Sequence, residues 1–145
     1  MKLEDVIRSK GTSVVTIAPT ATVAELVSLM ADNNIGSVVV SRDGLHIDGV
    51  VNERDIVRGL ASAGAGLIDK SVADLVPSDV VVGHLEDRLE DTAQTMTTKR
   101  VRHIPIEVNG ELAAIVSIGD VVKFRMDQLT DERNHLMGYV QRQST

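Results

Sequence analysis

Apolar residues in the first half of the chain alternate between short β-branched runs and stretches with helical spacing. Residues 14–17, 37–41 and 47–51 are rich in Val and Ile, which predicts three short strands. Between the first two runs, apolar residues recur three or four positions apart, which is typical of a helix with one buried face. Thr22 stands three residues before Glu25, the spacing of a capping box, so we expect this helix to begin after Thr22.

The same pattern occurs a second time further along the chain. Met30 aligns with Met96 at an offset of 66 residues, and Val50 aligns with Ile115 at an offset of 65. The second copy therefore predicts strands over residues 80–82, 104–108 and 113–116. We interpret the chain as a tandem duplication whose joint lies near residues 64–66.

Each copy predicts a short helix followed by the order β-α-β-β-α, with the last helices beginning near Asn52 and Ser117. A small sheet with so few helices leaves one face uncovered, so the two copies should pack against each other. The predicted class is α+β, with a first repeat over residues 1–66, a second over 67–124 and a C-terminal helical extension over 125–145.

The amino-acid composition indicates a globular protein and argues against several other classes. With 43% hydrophobic residues among 145, the chain is long and apolar enough for a compact core. Its 15 Lys and Arg against 21 Asp and Glu give a net charge of −6, which argues against nucleic-acid or anionic-membrane binding. Cysteine is absent, and no run approaches the roughly 20 apolar residues of a membrane span. We expect a soluble cytoplasmic protein.

The order and spacing of four segments resemble a tandem cystathionine-β-synthase (CBS) domain pair, the Bateman module. These segments are residues 35–40, 49–55, 102–106 and 115–120. The resemblance implies two repeats packed as a pseudo-twofold pair, with a cleft that binds an adenosine-containing ligand such as AMP, ADP, ATP, NAD or S-adenosylmethionine. It further implies a stand-alone regulatory module that changes shape and signals to another protein, whose identity the sequence does not reveal.

The strand-to-helix junction at Ser117, Gly119 and Asp120 carries the best candidate chemistry. A helix N-terminus attracts phosphate or ribose oxygens, Gly119 permits close approach, and the Asp120 carboxylate can accept hydrogen bonds from a ribose diol. Ser117 and Asp120 are equally typical of a helix cap, which is the alternative interpretation. The resemblance favours the ribose role for Asp120.

The first copy has Asn52, Arg54 and Asp55 at the corresponding junction. Asn52 caps helices well but departs from the Ser or Thr that is usual in the family. Arg54 adds a phosphate partner where the second copy has Gly119. We therefore expect the two pockets to differ in affinity or ligand.

Residues 99–103 form the one dense basic stretch. Lys99 and Arg100 are typical of a solvated helix end, whereas Arg102 and His103 precede a strand that lines the cleft in the resembling family. The aligned Gly36 and Ser37 carry no charge, so phosphate binding should depend on the second copy.

By resemblance, each pocket combines strand residues of one repeat with the helix junction of the other. Pocket A is expected to comprise Thr16, Gly36, Ser37, Val38, Ser117, Gly119 and Asp120. Pocket B is expected to comprise Val82, Arg102, His103, Pro105, Asn52, Arg54 and Asp55. Ile35, Val38, Val82 and Pro105, with Thr16 at the rim, are candidates for an apolar adenine slot, and ordinary core packing is the alternative for them.

No catalytic residues or catalytic cofactor are predicted. His46, His84 and His135 are scattered without metal-ligand spacing, and neither a Ser-His-Asp order nor a phosphate-binding Gly-rich loop occurs. We expect a protein that is not an enzyme. The main alternative to a ligand sensor is a ligand-independent dimerisation or interaction module.

The C-terminal stretch predicts a long helix over residues 121–143, which Gly138 could interrupt. Its apolar positions recur at helical spacing among charges, at Val122, Met126, Leu129, Leu136 and Val140. Packing on its own domain is one interpretation. We favour burial against a second copy, and hence a homodimer.

Overall fold

The computed structural model describes residues 1–144 and has the expected α+β composition. The helices of this part of the chain are α1 (Leu3–Lys10), α2 (Val23–Asn33), α3 (Glu53–Ala63), α4 (Leu89–Lys99) and α5 (Ile118–Gln143). The strands are β1 (Thr16–Ile17), β2 (Ser37–Val40), β3 (Gly49–Asn52), β4 (His103–Val108) and β5 (Glu111–Ser117). Short 3₁₀ helices, Gly64–Asp69 and Val72–Asp74, connect the two halves.

The two halves differ at their first strand. In the first half β1 pairs parallel to β2, and β2 pairs antiparallel to β3. In the second half β4 and β5 form an antiparallel pair, and the strand predicted over residues 80–82 is absent. That prediction was wrong, because the segment meets β4 one residue later, through a single parallel bridge between Gly83 and Ile106. An added Cβ at Gly83 would lie 2.9 Å from Ile106 Cδ1, so a larger residue here would require the Ile106 side chain to shift.

The helix ends reproduce the duplication. Asn34 and Arg100 terminate α2 and α4 in the left-handed conformation, with φ of 51° and 54°. Asn52 and Ser117 close equivalent capping boxes at the start of α3 and α5. Thr22 caps α2 as its spacing to Glu25 predicted.

Helix α1 packs on the second half of the molecule, although it precedes the first repeat in sequence. Its anchors Leu3, Val6 and Ile7 are buried in the core that β4, β5 and α4 form. Val72 makes the reciprocal crossing and lies in the core of the first half. The backbone fixes α1 here, since Leu3 N–H donates to the Asp87 carbonyl at 2.9 Å. Each half thus contributes buried side chains to the core of the other, and the C-terminal end of α1 lies against the second half.

Helix α5 is continuous from residue 118 to residue 143, and Gly138 does not interrupt it. Its only fully buried residue is Val121, and the large apolar side chains further along are exposed: Val122, Met126, Leu129, Leu136, Met137, Tyr139 and Val140. Within residues 1–144, no helix is both long enough and apolar enough to cross a membrane.

Candidate functional site: a basic groove between the repeats

Ser37 and His103 meet where the two repeats face each other. Ser37 opens β2, His103 opens β4, and Ser37 Oγ lies 2.9 Å from His103 Nδ1. These residues are 66 positions apart, which is the offset of the duplication. Contact between equivalent residues places the pseudo-twofold axis of the pair between them.

The His103 imidazole is held in its neutral form. Its burial, followed by the positive charges of Lys10 and Arg102, lowers the pKa of His103 below the ordinary value of 6.5. The carboxylates of Asp120 and Glu53 act in the opposite direction without reversing the shift. A neutral Nδ1 can accept the hydrogen bond of the Ser37 hydroxyl, so this contact is available at physiological pH.

A groove of about 880 Å³ opens beside this contact, and we call it the basic groove. Both repeats line it. The first repeat contributes Ser37, Val50, Asn52, Arg54, Asp55 and Arg58, and the remaining lining residues are Pro77, Ser78, Asp79, Val80, Val81, Lys99, Arg100, Val101, Arg102 and His103. Five of these side chains are cationic and two are carboxylates. This local surplus of positive charge, in a chain of net charge −6, would attract an anion electrostatically.

A second cavity of about 470 Å³ adjoins the basic groove, and the two share six lining residues: Ser37, Asn52, Arg54, Arg100, Arg102 and His103. A third cavity of about 430 Å³ continues from Gly36 along α2 and α3, where its lining is mostly apolar. Together these cavities form a basic region next to an apolar one, the combination that a nucleotide requires for its phosphates and its base.

At the first junction Asn52 and Asp55 bond to each other across the first turn of α3. Asp55 N–H donates to Asn52 Oδ1 at 3.1 Å, and Asn52 N–H donates to Asp55 Oδ2 at 2.9 Å. This geometry is the helix cap. Arg54 and Arg58, one helical turn apart, both line the basic groove.

At the second junction the same capping box carries an additional partner. Asp120 N–H donates to Ser117 Oγ at 3.0 Å, and Ser117 N–H donates to Asp120 Oδ2 at 2.9 Å. The Lys10 ammonium, from the end of α1, also donates to Asp120 Oδ2. Partial burial tends to raise the pKa of Asp120, but the hydrogen bonds from Lys10 and Ser117 outweigh it and lower that pKa below 3.8.

The structure brings half of the predicted site residues together at the basic groove and its adjoining cavity. Five members of pocket B line the basic groove: Asn52, Arg54, Asp55, Arg102 and His103. Val82 instead lines a small separate cavity with Gly83 and Thr92, and the Pro105 side chain is fully buried.

Pocket A is divided between several places. Gly36 and Ser37 border the cavities next to Arg102 and His103, whereas Ser117, Gly119 and Asp120 form the second junction. Thr16 lies half-buried in β1, and Val38 is completely buried in the first core.

Further basic residues belong to the groove or the second junction although they were not among the predicted site residues. Arg58 follows Arg54 by four residues, a spacing that places both on one helix face and is visible in the sequence. Arg100, expected at the surface, is exposed and also lines the basic groove. Lys10 had no sequence signal, because its position depends on the crossing of α1.

A comparison with protein-family models matches the CBS domain twice, over residues 3–62 and 72–127. The chain belongs to the CBS domain family. It is a CBS pair, as its duplication and motifs suggested.

Solved CBS proteins share the architecture of the pair. A CBS-domain-containing protein from Agrobacterium tumefaciens is 36% identical with a TM-score of 0.81, over 86% of this chain and 92% of that one. A CBS domain protein from Pyrobaculum aerophilum, solved in complex with AMP, is 26% identical with a TM-score of 0.70, over 83% of this chain and 89% of that one. The CBS domain-containing protein YhcV of Bacillus subtilis is 31% identical over 83% of each chain.

Proposed function

We propose that this CBS pair is a regulatory module that binds an adenosine-containing ligand with a phosphate group, of the AMP, ADP, ATP or NAD type. The observation that carries the proposal is the basic groove, where five cationic side chains from both repeats converge beside a neutral His103. Guanidinium groups suit phosphate because they donate paired hydrogen bonds in a planar fork. The AMP complex of the P. aerophilum relative supports the class of ligand.

The groove also provides a mechanism for signalling. Arg54 and Arg58 belong to the first repeat, and Lys99, Arg100 and Arg102 belong to the second. A bound phosphate is attracted to both sets and favours the arrangement in which the repeats lie closest. The ligand thereby shifts the population of repeat orientations, which a partner protein detects.

Calorimetric titration with AMP, ATP and NAD in turn tests the proposal. Arg102→Ala removes a charge-assisted contact of about 1.5 to 3 kcal/mol, so affinity should fall roughly 10- to 100-fold. Arg42→Ala is the matched control, because Arg42 pairs with Asp48 at 3.9 Å and does not line the groove. Absence of binding by the wild-type protein, or equal loss in both variants, contradicts the proposal.

The second candidate function, a dimerisation module, rests on the uncovered apolar face of α5. Leu136 is 67% exposed, and Met126 and Val140 are each 59% exposed. Side chains of this size on one helix normally pack against another surface. We propose that a second copy of the chain covers this face, which gives a homodimer of CBS pairs.

A further inference from the structure

The two helix junctions are equivalent in sequence but not in charge environment. Asp55 and Asp120 occupy the third position of α3 and α5, and each accepts the backbone N–H of its capping residue. Asp55 borders the basic groove. Asp120, in contrast, is paired directly with Lys10. Asp55 therefore lies beside a cavity that is lined by arginines, whereas Asp120 is already in contact with a cation.

The Lys10 ammonium makes two hydrogen bonds to the second half of the molecule. It donates to Asp120 Oδ2 and also to the Ile115 carbonyl, at 2.6 Å. The Lys10 and Asp120 side chains are only 28% and 26% exposed. Two of the three ammonium donors are thus used within a partly buried pair.

The position of Lys10 follows from the crossing of α1. Lys10 is the last residue of this helix, and Gly11 follows it with φ of 99°. The buried anchors Val6 and Ile7 precede Lys10 by four and three residues, so they place the end of α1 beside β5, within reach of the Ile115 carbonyl. Displacing the ammonium does not require unfolding of the helix, since the side chain alone has to move.

We propose that Lys10 is a specificity-determining residue that closes the Ser117–Asp120 junction to ribose diols and confines the ligand to the basic groove. A diol would have to displace the Lys10 ammonium, and its uncharged hydroxyls can bond to the carboxylate without the attraction between opposite charges that the ammonium supplies. Among residues 1–144, Asp55 has no ion pair of this kind, and its contacts are those of the helix cap with Asn52. This inference rests on the proposed function, because it assumes that the pair binds an adenosine-containing ligand.

Calorimetric titration with AMP tests the inference through stoichiometry. The wild-type protein should bind one AMP per chain, and Lys10→Met should bind two. The second AMP should bind at the Ser117–Asp120 junction, with an affinity about tenfold or more above that of the same junction in the wild type. Arg8→Met is the matched control, because it removes one positive charge from the same helix at an exposed side chain and should leave one site. Adding Asp120→Asn to Lys10→Met should weaken the new site about tenfold, which assigns it to that carboxylate.

The outcomes separate this inference from the proposed function. One site in both proteins overturns the role of Lys10 and leaves the proposed function intact. No binding by the wild type but one site in Lys10→Met supports the role of Lys10 and contradicts binding in the basic groove. Two sites in the wild type, weaker binding by Lys10→Met, or binding by neither protein overturns the inference. If Lys10→Met does not fold, Lys10→Gln keeps a donor without the charge and should also bind two.

Discussion

Replacing Asp120 with alanine should destabilise the protein more than replacing Asp55, its counterpart in the first repeat. Both carboxylates accept the N–H of the capping residue at 2.9 Å, and both lie in the first turn of a helix. Only Asp120 also accepts the ammonium of Lys10. The duplication therefore supplies an internal control in which the cap is the same and the lysine differs.

Both substitutions remove a capping hydrogen bond, worth about 1 kcal/mol of stability, and a favourable interaction with the helix dipole, worth about 0.3 to 1 kcal/mol. Asp120 additionally loses a charge-assisted bond, whose value lies below the usual 1.5 to 3 kcal/mol because the pair is partly exposed to water. We expect Asp120→Ala to lower the free energy of unfolding by about 1 kcal/mol more than Asp55→Ala does. This corresponds to a further decrease in Tm of about 3 °C for a chain of this length.

Urea denaturation of both variants at pH 7 and equal protein concentration measures the difference. The pH is suitable because the lowered pKa of Asp120 makes its contribution complete above 3.8, and that contribution is lost as the pH falls through the folded pKa. A double-mutant cycle with Lys10→Met should give a coupling near 1 kcal/mol. Equal destabilisation by the two Asp→Ala changes, or a coupling below about 0.3 kcal/mol, would refute the reasoning.

Three further outcomes are expected. Gly138→Ala should raise stability by about 0.5 to 1 kcal/mol in thermal unfolding, because Gly138 is helical and an added Cβ meets nothing within 4 Å; a lower Tm would contradict this. The pKa of His103 is lowered in the folded state, so wild-type stability should decrease as the pH falls below 6.5, and His103→Gln should reduce this pH dependence. Denaturation of both proteins at pH 7 and 5.5 measures it, and an equal loss of stability in the two proteins would contradict the prediction. Leu136→Glu should convert a homodimer into a monomer in sedimentation, whereas Glu132→Gln should not, and a wild-type monomer would exclude the dimer.

Elements with a strong local signal were predictable from the sequence. The start of α2 followed from the spacing of Thr22 and Glu25, and the length of α5 followed from its repeating apolar positions. The duplication itself indicated that Asn52 and Ser117 would begin equivalent helices. Such features depend on neighbours a few residues apart, which periodicity and capping rules describe well.

The strand expected over residues 80–82 shows where this local reasoning fails. Its valines have high β-propensity, yet pairing with β4 occurs only at Gly83. The constraint is tertiary, because the side chains of Ile104 and Ile106 of β4 and of Leu3 of α1 crowd position 83 and would have to shift to admit a larger residue there. High β-propensity makes a segment suitable for a strand, but the neighbouring strand determines which of its residues form backbone hydrogen bonds.

The charge environment of the second junction is the larger omission, and it arises from the crossing of α1. Lys10 and Asp120 are 110 residues apart, and nothing in their immediate sequence marks them as partners. They meet because Leu3, Val6 and Ile7 are buried in the second core. Apolar burial, which has no directional preference, thus decides where a charge is placed, and two junctions with the same capping box acquire different chemistry. Duplication alone would make the two pockets of a CBS pair alike, so asymmetry between them has to come from side chains that the repeats do not share, such as Lys10 at one junction and Arg54 at the other.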